Sequence, residues 1–235
     1  MQGNGVSRSN ELPDAAPKNR AAVELLGHQA YPLHPWRNGR GVLRHIADGD
    51  GWQLRLADID ESGPFSDFSG HLRLFAIVEG AVVLEMPDGR RIECDPSSEV
   101  AVFDGGAAPR CQLVSGPAKA FNLIVEPDKV VASLERQALG RTQAEAVGDG
   151  GEFLAVHVQS GQVECRWRSS DGSAPQAADR PVVASAKDTL MPMAEAGVWL
   201  RAAADADAAV VLIARIRPAG TLPPSSLQDP ATTQR

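Results

Sequence analysis

A long series of short apolar runs, each closed by turn-forming residues, constrains this chain most. Such runs, with glycine, proline, asparagine or aspartate between them, are typical of β-strands joined by tight turns. Glu79-Gly80 and Pro87-Asp88-Gly89 are turn signals of this kind. The first series comprises residues 42–46, 52–59, 72–78, 81–86, 90–94, 100–103, 111–114 and 121–125. We therefore predict an all-β fold.

A second apolar series repeats the first in order. It comprises residues 153–158, 163–167, 181–184, 189–193, 198–201 and 210–216. In each series a strand, a glycine turn and a strand (FAIVEGAVVLEM; FLAVHVQSGQVECRW) precede an apolar run that ends at proline (FNLIVEP; VLIARIRP). The copies lie roughly 80 to 90 residues apart, and periodic strand units indicate duplicated β domains. Two β-barrels or sandwiches in one chain are the predicted architecture.

The ends of the chain are polar and rich in glycine, proline and small residues. We predict loose tails at residues 1–20 and 218–235, an N-terminal domain at 21–127 and a C-terminal domain at 128–217. Residues 128–149 fit neither a helix nor a strand well, so we interpret them as the connector between the domains.

Charge and cysteine content narrow the possible partners and compartment. The formal net charge of −7 disfavours nucleic-acid and membrane-surface partners, which need a basic face. The longest apolar stretch, around residues 208–214, is too short to span a bilayer. Cys94, Cys111 and Cys165 show no CxxC spacing, and we predict that they are buried in a cytoplasmic protein. A homodimer is a possible assembly that the sequence does not decide.

Arg73 is the strongest candidate for chemistry. It stands in the apolar run Leu72-Arg73-Leu74-Phe75-Ala76-Ile77-Val78, where alternation places it on the same face as Phe75 and Ile77. It is the only arginine that we assign to an apolar strand of the first half. A guanidinium inside a barrel can bind a carboxylate through two charge-assisted hydrogen bonds. The alternative is that Arg73 pairs with an internal Asp or Glu.

Four further residues could surround such a ligand. Asn38 and Asn122 each offer an amide donor and a carbonyl acceptor, although asparagine beside glycine often caps its own turn. Trp36 could wall the pocket, or pack in the core or at its rim. His45 is a further candidate for ligand contact. Phe65 and Phe68 are expected to pin a loop.

Metal and cofactor motifs are absent from the sequence. The histidines are scattered, and no two stand two residues apart on one strand as a facial metal site would favour. We find no dinucleotide fingerprint, phosphate-binding loop or nucleophile elbow. We therefore predict a protein without metal or other cofactor. The histidines are His28, His34, His45, His71 and His157.

Taken jointly, several segments resemble the HutD/Ves family. They are Trp36-Arg37-Asn38-Gly39-Arg40-Gly41, Gly63-Pro64-Phe65-Ser66-Asp67-Phe68-Ser69-Gly70 with Arg73 after it, Cys111-Gln112-Leu113, Gly116-Pro117, Phe103-Asp104-Gly105 and Phe121-Asn122-Leu123. The resemblance covers residues 36–125, and the second half matches in strand order. Two positions depart from the family pattern: Arg40 stands in place of a second glycine, and Leu72 stands where an Asp usually precedes the strand arginine.

The resemblance implies a bicupin, in which two double-stranded β-helix (jelly-roll-like) barrels share one chain. It also implies a regulatory role in histidine utilisation, with a small carboxylate such as a formimino-glutamate-like or urocanate-like molecule as ligand. Arg73 would then anchor the anion, with Asn38, Asn122, Trp36, Asp104 and His45 around it.

Two other functions stay open from the residues. One is a metal-free isomerase or hydrolase of a small acid, with Asp104 or His45 as general base. The other is a protein that works through its surface or its assembly, with both barrel interiors packed.

Overall fold

The computed structural model describes residues 23–36, 42–142, 144–148, 152–169, 181–192 and 196–220. Across these ranges the chain forms β-strands and one short 3-10 turn, Gly105–Ala107, and no α-helix. The predicted all-β class is confirmed, and the apolar runs fall on strands, although further strands lie outside them. Within the same ranges no helix is long and apolar enough to cross a membrane. The predicted tail at 1–20 lies outside the described residues. The predicted tail at 218–235 is described only to residue 220, and its first residue, Pro218, still belongs to the last strand, Ala208–Pro218.

The N-terminal half consists of two antiparallel sheets that pack face to face. Its strands are β2 (Leu33–Pro35), β3 (Val42–Gly49), β4 (Trp52–Ile59), β5 (Gly63–Pro64), β6 (Leu72–Glu79), β7 (Val82–Glu85), β8 (Arg91–Cys94), β9 (Ala101–Asp104), β10 (Arg110–Leu113) and β11 (Ala118–Val125). The six-stranded sheet has the order β2-β3-β4-β11-β6-β9, and the four-stranded sheet has the order β5-β10-β7-β8. Apolar side chains from both sheets, such as Phe75, Ile77 and Leu84, form the core between them.

The C-terminal half repeats this two-sheet arrangement. Its strands are β1 (Val23–Leu26), β12 (Val130–Gly140), β13 (Glu145–Gly148), β14 (Phe153–Ser160), β15 (Gln162–Ser169), β16 (Val182–Ser185), β17 (Thr189–Pro192), β18 (Ala196–Ala202) and β19 (Ala208–Pro218). The sheets have the orders β1-β17-β14-β19-β12 and β13-β18-β15-β16. Leu154, Val156 and Ile213 belong to the apolar core between them.

A third apolar core joins the two halves. It lies between the six-stranded and five-stranded sheets and contains Phe121 and Leu123 from β11 with Leu212 and Ala214 from β19. Successive side chains of a strand point to opposite faces. Asn122 lies between Phe121 and Leu123 in β11, so its side chain points the other way, into the N-terminal half. The central sheets are therefore covered on both faces.

Two assignments made from sequence are corrected. Residues 128–149 were interpreted as the connector between the domains, but most of this segment forms strands of the C-terminal half: β12 pairs with β19 from Val130 to Gly140, and β13 pairs with β18. The pattern of β12 is irregular because Leu134 joins the core between the halves while Leu139 joins the C-terminal core. Strand β1 lies in the C-terminal sheet although residues 21–127 were assigned to the N-terminal domain. Val23 is buried there, and β1 pairs with β17.

Candidate functional site

The N-terminal half contains a cavity of about 350 Å³ on the face of its six-stranded sheet that carries Arg73 and Phe75, and Phe65, Ser66 and Phe68 of the loop after β5 complete its wall. Its wall combines aromatic and aliphatic side chains with a few polar groups, as small-molecule sites usually do. No aspartate or glutamate lines it in the part of the chain that the structure describes. The polar residues of its wall are His34, His45, Gln53, Arg55, Ser66, Arg73 and Asn122.

Strand register explains why these polar groups meet. His45 on β3 stands opposite Arg55 on β4, and Arg55 stands opposite Asn122 on β11. Arg73 on β6 pairs with Ile124, two residues further along β11. Adjacent strands lie about 4.8 Å apart, so alternating residues of four strands converge on one face. The predicted orientation of Arg73 with Phe75 and Ile77 is confirmed, because Arg73 and Phe75 line the cavity and Ile77 lies in the core beside it.

Arg73 is buried, with a relative exposure of 7%. One terminal nitrogen, Nη2, donates a 2.7 Å hydrogen bond to Oδ1 of Asn122. Its Nε has no hydrogen-bond partner among the described residues, and within the same ranges no ion pair joins Arg73 to a carboxylate. Burial lowers the pKa of Arg73 to about 10, so the side chain is still charged at neutral pH. The alternative of an internal Asp or Glu partner therefore finds no support in these residues.

Aromatic rings surround the guanidinium. Its Cζ lies 4.7 Å from the ring centroid of Phe65 and 5.5 Å from those of Phe68 and Phe103. Contacts of a cation with ring faces at this range are attractive, and more so away from water. Phe65 and Phe68 thus contact the charged group of the cavity besides holding their loop.

The loop that carries these rings is fixed by a close backbone approach. The Phe68 amide donates to the carbonyl of Gly105, and the Gly105 amide donates to that of His71. A side-chain carbon on Gly105 would lie 2.6 Å from the Phe68 carbonyl oxygen, so only glycine fits. Asp104, predicted as a site residue, instead accepts a 2.7 Å hydrogen bond from the Gly106 amide and does not line the cavity.

Arg55 lines the cavity but was not predicted as a site residue, and because it lies on β4, Arg73 is not the only arginine on a strand of the first half. Arg55 Nη1 donates to the carbonyls of Ala47 and Leu54 at 3.1 and 3.0 Å and pairs with Asp48 at 2.5 Å. The same alternation that singled out Arg73 would have found it, since Gln53, Arg55 and Ala57 share one face of β4.

Four of the six residues predicted for the site line the cavity together: Arg73, Asn122, Trp36 and His45. Asn122 is buried, and its Nδ2 also donates to the Ala120 carbonyl. His45 Nε2 lies 2.9 Å from Oδ2 of Asp48. Asp104 lies elsewhere, and Asn38 lies outside the described residues.

The three cysteines lie in the apolar cores of the two halves. Cys94, Cys111 and Cys165 are free and buried, as predicted. Burial raises the pKa of each thiol, to about 11 for Cys94 and about 12 for the others. Over the described ranges no three His, Cys, Asp or Glu side chains are grouped so as to hold a metal ion. The expected absence of metal stays a prediction.

Similar structures establish the fold. A conserved protein of unknown function from Pseudomonas aeruginosa PAO1 superimposes with a TM-score of 0.70 and 26% identity, over 84% of this chain and all of that one (100%). HutD from Pseudomonas fluorescens SBW25, in a formate condition, superimposes with a TM-score of 0.66 and 22% sequence identity, over 84% of this chain and 100% of that one. A cupin 2 conserved barrel domain protein from Leptotrichia buccalis superimposes with a TM-score of 0.55 and 9% sequence identity, over 86% of this chain and 100% of that one. The fold is cupin-like.

Sequence comparison assigns the family. An uncharacterised 21.2 kDa protein encoded in the hutC 3′ region of Pseudomonas putida is 35% identical over 120 residues. This match covers 48% of the chain but 63% of the relative, less than two thirds of its length. The model of the HutD family matches residues 28–207, more than half of the chain. The chain therefore belongs to the HutD family.

Proposed function

We propose that the cavity of the N-terminal half binds a small carboxylate, and that the protein thereby modulates histidine catabolism. One observation carries the proposal: Arg73 is buried, charged, and has no carboxylate partner in the described part of the chain. Burying a charge without a counter-ion is expensive. A carboxylate ligand supplies that counter-ion.

The donors of Arg73 suit this ligand. A guanidinium presents Nε and the terminal nitrogens as a planar fork, which matches the two oxygens of a carboxylate. Nη2 is held by Asn122, and Nε has no partner among the described residues. Asn122 thus orients the fork. Because Nε is enclosed by protein atoms, a ligand carboxylate would approach the terminal nitrogens of the guanidinium.

The walls suit a ligand with a small, flat or apolar body. The cavity volume of about 350 Å³ lies near the lower end of the range for small-molecule sites. Phe65, Phe75 and Trp36 offer ring faces and edges for stacking. Of the two acids implied by the family, a urocanate-like acid fits this description better than a formimino-glutamate-like one, which is flexible and carries two carboxylates. The family, and the position of the Pseudomonas putida relative beside hutC, support the link to histidine utilisation.

Replacement of Arg73 by methionine tests the proposal. Arg73→Met keeps the apolar stem and removes the fork, so carboxylate affinity should fall by about 2 to 4 kcal/mol, roughly 30-fold to 1000-fold. Calorimetric titration with urocanate, formimino-glutamate, glutamate and formate measures it. Arg110→Met is the matched control, because it removes an exposed arginine that does not line the cavity.

Two results would contradict this assignment. Equal affinity of wild type and Arg73→Met would place the ligand elsewhere. Loss of the folded state in Arg73→Met, judged by circular dichroism, would show instead that the arginine serves the fold.

We also propose that the protein is cytoplasmic, contains no metal, and consists of one cupin barrel in each half. Elemental analysis of the purified protein after dialysis against a chelator should find well under one equivalent of iron, zinc or manganese. One retained equivalent would overturn the metal-free assignment.

A catalytic role is a second candidate, and one observation favours it. His45 on the cavity wall is hydrogen-bonded to the Asp48 carboxylate, an arrangement that orients histidine as a general base. Turnover of a panel of amino-acid-derived acids, monitored by NMR, would reveal it. Recovery of every acid unchanged would exclude this candidate for the panel.

A further inference from the structure

The cavity wall carries two arginines with different surroundings. Arg55 is saturated at Nη1 by two backbone carbonyls and the Asp48 carboxylate. Arg73 is held by the neutral amide oxygen of Asn122. Only the charge of Arg55 is therefore compensated by a carboxylate of the described chain.

Asp48 uses both of its oxygens. Oδ1 lies 2.5 Å from Nη1 of Arg55, and Oδ2 lies 2.9 Å from Nε2 of His45. Burial raises the pKa of Asp48, but the hydrogen bonds from Arg55 and His45 outweigh this and leave the pKa below its ordinary value. The carboxylate is thus a permanent negative charge at neutral pH.

The two arginines lie within the span of one small ligand. Arg55 is on β4 and Arg73 is on β6, with β11 between them in the sheet. Two strand spacings, with an offset of two residues along β11, amount to about 12 Å between their backbones, and both side chains project into the same cavity. A short dicarboxylate could therefore meet both guanidinium groups if both were available.

We propose that Asp48 is a specificity-determining residue that sets the charge of the ligand. By neutralising Arg55 it leaves Arg73 as the anion anchor, so the cavity takes a monocarboxylate and rejects a dicarboxylate of the same shape. This inference rests on the proposed carboxylate site. It narrows the ligand class to acids that carry one carboxylate and an uncharged or cationic far end. Of the two acids named above, this favours a urocanate-like ligand over a formimino-glutamate-like one, which carries two carboxylates.

Specificity of this kind is a difference between two affinities. The far carboxylate of a dicarboxylate would lose water beside Arg55 without gaining a free cation, and Asp48 would repel it. Removal of the Asp48 charge should not release Arg55, because the carbonyls of Ala47 and Leu54 still hold it. Asp48→Asn should therefore present a positioned and uncompensated second cation.

The test uses glutaramate and glutarate, which differ only by an amide in place of one carboxylate. Wild type should bind glutaramate at least about 10-fold more tightly, and Asp48→Asn should shift the ratio toward glutarate by at least about 10-fold. Asp50→Asn is the matched control. It makes the same charge change on a 91% exposed side chain paired with Lys129, and it should leave the ratio unchanged.

A double variant tests whether Asp48 changes the ligand preference through Arg55. Asp48→Asn/Arg55→Met should regain the preference for glutaramate, because Arg73 is again the anchor. An unchanged ratio in Asp48→Asn, or an equal shift in Asp50→Asn, would overturn the role of Asp48 while the carboxylate site stands. If wild type binds neither acid, both the site and this inference fail.

Discussion

The two halves share one framework but treat its interior in opposite ways. Arg73 stands seven residues before Gly80, and Leu154 stands seven residues before Gly161. Phe75 pairs with Asn122, and at the matching place Val156 pairs with Ile213. The pair Arg73 and Asn122 thus corresponds to Leu154 and Ile213, which are both buried in the C-terminal core.

This difference shows how a shared framework can hold either a cavity with polar groups or a packed apolar core. In the N-terminal half a charged and an amide side chain face a cavity. In the C-terminal half apolar side chains at the same positions belong to the packed core. Binding can therefore depend on a few inward positions while the strand pairing around them is kept.

The largest expected effect comes from placing the N-terminal charge in the C-terminal core. Leu154→Arg buries a cation among apolar side chains, so the free energy of unfolding should fall by at least about 4 kcal/mol, or the protein should fail to fold. Chemical denaturation measures it. Leu154→Met, the control, should cost less than about 1.5 kcal/mol. Near-wild-type stability of Leu154→Arg would break the comparison of the two interiors.

A second difference lies where the halves meet. His157 corresponds to Ala76 and is 1% exposed. Its ring stacks on Phe121 at 4.9 Å, and Nδ1 lies 3.0 Å from Oγ1 of Thr189. That hydroxyl lies 2.8 Å from the Tyr31 hydroxyl, which donates to the Lys187 carbonyl. Burial lowers the pKa of His157 from 6.5 to about 4 despite the nearby charge of Asp188.

Stability should therefore depend on pH through His157. The folded state disfavours its protonation, so the stabilisation is complete above pH 6.5 and is lost as pH falls toward 4. The slope is about 1.4 kcal/mol per pH unit, or about 3 kcal/mol in all. His157→Gln should remove this slope from denaturation curves, whereas His34→Gln, at an exposed histidine, should keep it. Equal slopes in both variants would assign the pH dependence to other groups.

The turn glycines test whether the halves are equivalent. Gly80 and Gly161 have φ of +75° and +78°. At both positions a side-chain carbon would lie 2.6 Å from a carbonyl oxygen, that of Pro117 or Ala208. Alanine at either position should cost about 1 to 3 kcal/mol, and the two losses should agree within about 1 kcal/mol.

Gly89→Ala separates the cost of backbone strain at positive φ from the cost of a steric clash of the added side-chain carbon. Gly89 also has a positive φ, +86°, but nothing lies within 4 Å of an added carbon. This variant should lose less stability than the other two in thermal melts. Clearly unequal losses at Gly80 and Gly161 would show that the turns differ.

The smallest expected effect on stability is the reverse exchange. Arg73→Leu/Asn122→Ile gives the N-terminal half the apolar pair of the C-terminal half. Replacing a buried charge and its partner by apolar groups is often neutral, so the free energy of unfolding should stay within about 1 kcal/mol of wild type. Carboxylate binding should be lost. Arg73→Leu alone should cost more stability, about 1 to 3 kcal/mol, because Oδ1 of Asn122 loses its donor.

Local sequence determined the strands and the faces of their side chains. Short apolar runs and turn residues predicted an all-β chain, and alternation placed Arg73 beside Phe75. The family motifs around Phe65, Phe103 and Phe121 marked the strands and loops that form the cavity wall. These signals are local because a strand has a fixed period of two and a turn needs particular residues.

Only the tertiary structure decided which distant groups meet. It joined Arg73 to Asn122, gave Arg55 its partner Asp48, and left Asp104 as a cap outside the cavity. It also placed β1 in the sheet of the other half. The pairing of Arg73 with Asn122 and the place of β1 depend on register between strands far apart in the chain, whereas Asp48 and Arg55 meet across the β3–β4 hairpin. A shift of one residue in register turns every side chain to the other face. The sequence by itself thus determined the strands and the face of each strand on which a side chain lies. The pairing of strands in the tertiary structure decided which side chains contact each other and left the charge of Arg73 without a carboxylate partner among the described residues.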